Sequence, residues 1–316
     1  MEPAEFCQQA RVLIVAGKGG VGKTTVSAAL ARMAGRAGLR TLIVEIEGKS
    51  GLAASFGRRQ PLTYEDVTLV PAGPDTAEVR ARTLTPDDAL LDYLQDHGLK
   101  RVSKRLVSSG ALDVVATAVP GLRDILVLGK VKSLEKRESA DLIVLDAPAA
   151  GHAVTFLTSA KGLLDAFRVG PIRTQAAEVV ELLSDPDRCQ VLLVTLPEET
   201  PVNEVVETAY KLEDLVGISL TPLVVNGVYP DIEGLEAAAG PATGDGAADA
   251  ARRAAEFRLA RQRLQAEQTA RLSEALPLAQ LRLPYLFTTD IGPAEIDRLA
   301  AALAAAVGEL PAPARR

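Results

Sequence analysis

The sequence predicts an α/β protein with a doubly wound, mostly parallel sheet and a helical insertion. Short apolar runs of strand length alternate along the chain with helix-like stretches, the order typical of such sheets. Hydrophobic residues make up 47% of the chain, but aromatic residues make up only 3%. The core must therefore consist mainly of Leu, Val, Ile and Ala, as expected for a parallel sheet covered by helices.

The hydrophobic pattern places the individual elements. Apolar runs predict strands at 12–16, 41–46, 67–70, 142–145, 191–196, 223–225 and 281–283. Helical spacing of apolar residues predicts helices at 23–37, 204–216, 252–276 and 296–307. Gly38 stands where a glycine commonly ends a helix.

Two regions depart from this alternation. Residues 86–138 carry leucines at helical spacing and are interpreted as a helical insertion on the sheet. Residues 234–249 are rich in Ala, Gly and Asp, which predicts a flexible loop, although the alanines could extend the following helix. Because no domain boundary or repeat is visible, residues 1–316 are predicted to form a single domain.

Composition excludes several classes of protein. The net charge of −6 argues against binding nucleic acid through a broad basic face. The two cysteines, Cys7 and Cys189, are far apart and form no CxxC pair, so we interpret them as incidental reduced thiols. No apolar run approaches the roughly 20 residues that span a bilayer, and the N-terminus does not resemble a signal peptide. We therefore expect a cytoplasmic protein without an integral membrane segment.

The segment between the first strand and the first long helix fits the phosphate-loop pattern G-x-x-x-x-G-K-[ST]. Its residues are Gly17, Lys18, Gly19, Gly20, Val21, Gly22, Lys23, Thr24 and Thr25. Glycines let the backbone turn its amides toward phosphate oxygens, and the helix N-terminus adds positive potential. Lys23 is expected to reach the β- and γ-phosphates, Thr24 to bind Mg²⁺, and Thr25 to bond the α-phosphate. The sequence thus predicts a P-loop NTPase.

A second motif follows the insertion. Residues 141–146 are four apolar residues between two aspartates, and Asp146 ends the predicted strand. A carboxylate there can hold the hydration shell of Mg²⁺ opposite Thr24. Many strands end in Asp, so this pattern gains weight only beside the phosphate loop.

Lys18 adds information, because a second lysine near the start of the loop defines the deviant Walker A subgroup. The loop resembles those of MinD, ParA, the nitrogenase iron protein and ArsA-like ATPases. In that subgroup the lysine reaches a partner's phosphates across a dimer interface. The resemblance implies that Lys18 is a charge clamp supplied in trans; a solvated surface lysine is the alternative.

The segment after Asp146, Ala-Pro-Ala-Ala-Gly-His, resembles the second switch of the ArsA-like family. The resemblance implies that Gly151 responds to the γ-phosphate by rearranging its backbone. His152 is either a switch residue or a structural hydrogen-bonding group. In the first switch, Glu47 stands where the family has a water-orienting aspartate, and Gly48 replaces a proline. The longer side chain leaves the hydrolysis rate open, and Glu47 could instead cap the strand end.

The likeness covers most of the chain and extends to Asn226, which ends a strand as in the ArsA-like family. There the amide is implied to pair with adenine, whereas an Asn-Gly turn is the alternative. The single-domain anion-transporting ATPases of actinobacteria are the most similar branch, through residues 47–49, 122–124 and Gly129-Lys130. Related chains there work in pairs.

The resemblance implies an Mg²⁺-dependent ATPase that acts as a nucleotide-gated homodimer or heterodimer and handles a partner or protein client. Two functions of the family are poorly supported by the composition. Arsenite pumping uses cysteines to bind the metalloid, and this chain has only two, which are far apart in sequence. Tail-anchored clients occupy a groove that is often rich in methionine, and this chain has only two methionines. An ATP-binding scaffold or client carrier with little turnover is an alternative. A MinD- or ParA-like positioning ATPase is a weaker one, because the helix at 296–307 has few basic residues and suits packing on the sheet.

Overall fold

The computed structural model describes residues 1–46, 51–96, 121–148, 150–240 and 246–311, with the backbone alone at 150–152. The strands are β1 Val12–Ala16, β2 Thr41–Ile46, β3 Val67–Val70, β4 Val79–Leu84, β5 Leu142–Asp146, β6 Cys189–Thr195, β7 Ser219–Leu220, β8 Leu223–Val228 and β9 Gln280–Pro284. The helices are α1 Pro3–Cys7, α2 Lys23–Arg36, α3 Gly51–Ser55, α4 Pro86–Asp96, α5 Leu122–Lys136, α6 Ala150–Ala166, α7 Pro171–Ser184, α8 Glu199–Val216, α9 Leu235–Ala238, α10 Gly246–Ala275 and α11 Pro293–Gly308.

The strands form one sheet in the order β3-β4-β2-β5-β1-β6-β8-β9, and β7 pairs with β6. Every pair is parallel except β3 with β4, which is antiparallel. The predicted doubly wound, mostly parallel sheet is therefore confirmed. Because β1 lies between β5 and β6 and the three strands are parallel, the segments that follow them lie side by side at the carboxyl end of the sheet.

The core lies on both faces of the sheet. Successive residues of β1 alternate between them: Val12 and Ile14 face one cluster, and Leu13 and Val15 face the other. Helices α5 to α8 cover the first face, and α1, α2 and α11 cover the second. Since both faces are covered, β1 and β5 are buried along their whole length, which explains their uninterrupted apolar sequences. Helix α11 packs on β9 of the sheet, as expected for residues 296–307, and it also packs on α2.

Strand β4 was not predicted, because two arginines interrupt its apolar pattern. Arg80 and Arg82 both pair with Asp66, at 2.7 and 3.1 Å. The Arg82 guanidinium also lies 4.8 Å from the centre of the Tyr64 ring and donates to the Tyr64 carbonyl oxygen. These partners allow charged side chains to occupy a strand that hydrophobic patterning alone excludes.

Helices α4 and α5 occupy the two ends of the predicted insertion, and residues 97–120 between them lie outside the described part of the chain, so the insertion as a whole stays a prediction. Asp92 on α4 accepts hydrogen bonds from Lys130 on α5 and from the Tyr64 hydroxyl, the latter at 2.7 Å. Burial opposes ionisation of Asp92, but these two donors outweigh it and lower its pKa. The pair of helices is thus joined to the sheet edge near Tyr64.

Part of the segment predicted as a loop at 234–249 is helical, and residues 241–245 lie outside the described part of the chain. Residues 235–238 form the short helix α9, and α10 begins at Gly246. Alanine has the highest helix propensity, so the Ala-rich end of the segment joins the long helix. Among the described residues, no helix is long and apolar enough to cross a membrane.

Candidate functional site

The phosphate loop lies between the end of β1 and the start of α2, as the motif predicted. Gly20 and Gly22 have φ angles of +85° and +88°, which favour glycine. A Cβ atom on Gly17 would lie 2.2 Å from the carbonyl oxygen of Val194 in β6. Glycine is therefore required at position 17 by the close approach of a neighbouring strand.

The two lysines of the loop meet at its backbone. The ammonium group of Lys23 is largely buried and donates to the carbonyl oxygen of Lys18 at 2.9 Å. The ammonium group of Lys18 points elsewhere and pairs with Glu204 of α8, with Nζ and Oε1 2.6 Å apart. Lys23 is thus placed within the loop, whereas Lys18 lies at its rim.

Thr24 and Asp146 meet at the predicted metal position. The Thr24 hydroxyl donates to Oδ2 of Asp146 at 2.7 Å, and Asp146 is fully buried. The contact follows from the fold, because β5 pairs with β1 in a register that places Asp146 beside Val15, just before the loop. On the other side, Asp146 is beside Glu45 of β2, whose carboxylate accepts a hydrogen bond from Thr83.

This pair of side chains fits a magnesium ion. A hydroxyl and a carboxylate within 3 Å of each other are hard oxygen donors, the kind that Mg²⁺ prefers. Mg²⁺ commonly takes one or two protein ligands and fills its remaining positions with water and phosphate oxygens. Thr24 and Asp146 would therefore be enough protein ligands for such an ion.

Asn226 on β8 reaches the phosphate loop. Its Nδ2 donates to the carbonyl oxygen of Val21 at 2.9 Å, and a Cβ atom on Gly22 would lie 2.3 Å from that nitrogen. This contact fixes the end of β8 against the loop, a role that the sequence did not predict. The amide also has a second N–H and a carbonyl oxygen, the pair of groups that an adenine edge requires.

Sequence reasoning missed an edge cluster, which consists of Gln265 and Arg258 on α10 together with Tyr229, Tyr285 and Phe287. The buried Gln265 side chain donates to the Gly227 carbonyl at 3.1 Å and accepts from the Tyr229 amide at 2.8 Å. The three rings contact one another, and the Arg258 guanidinium lies 4.2 Å from the centre of the Tyr229 ring. The residues come from three separate segments, so no local motif signals them.

The remaining predicted residues are placed less fully. Gly19 and Gly20 are exposed in the loop, Val21 is buried, and Thr25 is half-buried in the first turn of α2. Gly151 and His152 belong to the first turn of α6, directly after β5. Glu47, Gly48 and Lys49 lie outside the described residues, so their predicted roles stay predictions.

Both cysteines are buried. Burial raises the pKa of Cys7 to about 12 and also raises the pKa of Cys189. Because the thiolate is the reactive and metal-binding form, neither residue is poised to bind a metalloid at neutral pH. Within the described part of the chain, no group of three or more His, Cys, Asp or Glu residues could hold a metal ion.

A phosphate loop between strand and helix, with an acidic residue ending the adjacent strand, defines the class of P-loop NTPases. The sequence matches the family described as "Anion-transporting ATPase" over residues 10–169. The chain belongs to this ArsA-like family of ATPases, which confirms the predicted family and with it an ATP-binding class of protein.

Relatives extend the match beyond that segment. The chain is 34% identical over 227 residues to a protein named ATPase BagA from Mycobacterium tuberculosis, covering 70% of this chain and 66% of that protein. It is 28% identical to a putative arsenical pump-driving ATPase from Halobacterium salinarum, covering 71% of this chain and 36% of the relative. An arsenical pump-driving ATPase from Escherichia coli is 30% identical, covering 70% and 40% respectively. The chain thus spans just under two thirds of the first relative and well under half of the others.

Proposed function

We propose that this chain is an Mg²⁺-dependent ATPase that acts as a nucleotide-gated dimer and handles a partner or protein client. One observation carries the proposal: the loop places Lys23 against its own backbone and Thr24 against Asp146 at one end of the sheet. These are the groups needed for a triphosphate and a metal ion, brought together at the carboxyl ends of adjacent strands.

The loop binds phosphate by exchanging one partner for another. Lys23 donates to the Lys18 carbonyl oxygen, and a phosphate oxygen is a stronger, charged acceptor for the same ammonium group. The backbone amides of residues 17–25 and the N-terminus of α2 supply the other donors. Thr24 and Asp146 would hold an Mg²⁺ ion, which would supply positive charge to balance the negative charge of the β- and γ-phosphates.

Hydrolysis requires a positioned water and added positive charge. Glu47, or a backbone group near it, orients a water in line with the γ-phosphorus. The water oxygen forms a new bond to phosphorus, and the bond to the β–γ bridging oxygen breaks. Lys23 and the partner's Lys18 offset the charge that develops on the transferred oxygens, and a proton of the water leaves to solvent. The products are ADP and phosphate.

Recognition of the base falls to Asn226. One N–H of its amide holds the Val21 carbonyl, and the second N–H and Oδ1 remain suited to the acceptor and donor on adenine. The same side chain therefore links base recognition to the position of the phosphate loop.

The client side of the cycle involves Gly151 and the helices α4 and α5. Gly151 lies in the first turn of α6, the helix that follows the Asp146 strand, where loss of the γ-phosphate would shift the backbone. The partner is a second copy of this chain or a related ATPase chain, and the protein works in the cytoplasm, where MgATP is available. The arsenical pump named for two relatives is not part of the proposal, because both cysteines here are buried.

Phosphate release by purified protein tests the enzymatic part. We expect MgATP turnover that falls about a hundredfold or more in Lys23→Ala and in Asp146→Asn, because each removes charge stabilisation used in the transition state. Lys211→Ala is a matched control, since Lys211 is an exposed lysine paired with Glu207 on α8. A wild-type rate equal to that of Lys23→Ala would remove the enzyme claim. If the protein nevertheless bound ATP tightly and formed nucleotide-dependent dimers, the ATP-binding scaffold would be supported instead.

Mixing two inactive variants tests the dimer. Lys18→Ala subunits keep Asp146, and Asp146→Asn subunits keep Lys18, so a mixed dimer contains one complete site. If subunits associate at random in a symmetric pair, an equal mixture should recover about a quarter of wild-type turnover. If the mixture recovered no turnover at any protein concentration, Lys18 would not act in trans.

A further inference from the structure

Lys18 is held within its own subunit, although the proposed mechanism needs it in the neighbouring one. Its ammonium nitrogen lies 2.6 Å from Oε1 of Glu204, on a helix 186 residues away in sequence. The two side chains are 38% and 37% exposed, so both can return to water when they separate. We propose that Glu204 is a positioning residue for Lys18, which it retains in the isolated subunit and releases when the dimer closes.

The contact is placed to compete directly with dimer formation. An ammonium group bonded to Glu204 is not available to a partner's triphosphate, so each closing subunit must first break this ion pair. The inference rests on the proposed action of Lys18 in trans. Breaking the Lys18–Glu204 ion pair opposes dimer formation. The ion pair therefore raises the subunit concentration at which active dimers form.

Phosphate binding weakens the same restraint from inside the loop. The Lys18 carbonyl oxygen accepts the hydrogen bond from Lys23, so the backbone of Lys18 is fixed as well as its side chain. When Lys23 turns to a phosphate, that backbone bond is lost, and of these two contacts of Lys18 the ion pair with Glu204 remains. Nucleotide bound to one subunit therefore makes Lys18 of that subunit easier to release toward the partner subunit.

The expected size of the effect follows from the exposure of the pair. Exposed ion pairs shift equilibria by about two- to fivefold each, since water and salt screen them. A symmetric dimer breaks two such pairs, which corresponds to about a four- to twenty-five-fold change in the dissociation constant if the two are independent. Glu204 thus adjusts the concentration at which dimers form rather than preventing their formation.

The test is Glu204→Gln, which removes the charge and keeps the shape. Dimerisation with a slowly hydrolysed ATP analogue, followed by sedimentation, should occur at about four- to twenty-five-fold lower subunit concentration. The concentration giving half-maximal turnover should fall equally, with the maximal rate per dimer within about twofold of wild type. Glu207→Gln is the matched control, because Glu207 lies on the same helix and pairs with Lys211 instead; its curves should overlay those of wild type.

A double variant separates this role from a merely structural one. In a Lys18→Ala background, Glu204→Gln should leave sedimentation unchanged, because the partner that it releases is gone. A shift that persists there, an unshifted Glu204→Gln curve, or a lower maximal rate at an unchanged midpoint would each overturn the role of Glu204 while leaving the ATPase proposal intact. If wild-type protein neither dimerises with nucleotide nor hydrolyses ATP, both proposals fail together.

Discussion

The phosphate loop and the edge cluster lie at the same end of the sheet but are built in different ways. The loop is one continuous stretch whose shape depends on glycines and on a neighbouring strand, as at Gly17 and Val194. The edge cluster joins residues from α10 and from the segments after β8 and β9. The first is a backbone structure encoded locally, and the second is a side-chain structure that exists only in the folded chain. Gln265 of the edge cluster holds the backbone that follows Asn226, the residue proposed to pair with adenine. Inorganic tripolyphosphate and ATP can therefore probe the two regions separately, because only ATP carries a base.

Gly17→Ala should give the largest effect and should disable the phosphate side. The added Cβ would meet a backbone oxygen at 2.2 Å, so either the loop or β6 must move. We expect a loss of about 3 kcal/mol or more in the free energy of unfolding, with binding of both ligands abolished. Urea unfolding and calorimetry measure these two quantities.

Gly38→Ala is the control for that change. Gly38 ends α2 at a φ of +88° with no atom within 4 Å of the added Cβ, so it tests backbone strain without a clash. Its cost should be about 1 kcal/mol with binding intact. Equal stability losses in the two variants would mean that the approach of Val194 does not constrain the loop.

Gln265→Ala should give an intermediate effect that is confined to the base side. The side chain satisfies the Gly227 carbonyl and the Tyr229 amide, and leaving buried backbone groups unsatisfied costs about 1–3 kcal/mol. Because those groups follow Asn226 directly, ATP affinity should fall about tenfold, or 1.4 kcal/mol. Tripolyphosphate affinity should not change.

The neighbouring Gln262 offers the comparison for this variant. It lies on the same helix and donates to the Pro230 carbonyl at 3.2 Å, but from a more exposed position. Gln262→Ala should therefore alter neither stability nor binding by more than about 0.5 kcal/mol. Tripolyphosphate binding that weakened along with ATP in Gln265→Ala would show that the two regions are not separable.

Phe287→Ala should give the smallest effect. Its ring lies 4.8 Å from that of Tyr285 and is 66% exposed, so contacts between rings rather than burial are lost. ATP affinity should fall about two- to fivefold, as expected for one aromatic contact. Phe257, which is equally exposed on α10, is the control, and its replacement by Ala should have no effect on titrations. If the two variants behave alike, the edge cluster does not contribute to base binding.

The same difference explains what the sequence could predict. The loop, Asp146 and the parallel sheet follow from local patterns: apolar strands, glycines and a carboxylate at a strand end. Strand β4 was missed because Arg80 and Arg82 are compensated by Asp66 and Tyr64, which patterning does not reveal. Likewise, Glu204 lies 186 residues from Lys18, and Gln265 lies 38 residues from Gly227. Contacts of this kind depend on the register of the sheet and the packing of helices, so they become visible only with the fold.

The carboxylate of Asp92 connects α4 both to α5 and to the segment before β3. It accepts one hydrogen bond from Lys130 on α5 and another from Tyr64 beside β3, so the two helices and the sheet edge meet at a single side chain. Its pKa is lowered by those donors, so the ionised form that they stabilise is fully present at neutral pH. That contribution persists in mild acid and disappears only as the pH falls through a value below the ordinary range of an aspartate. The hydrogen bonds of Asp92 to α5 and to Tyr64 therefore persist throughout the pH range of a cell.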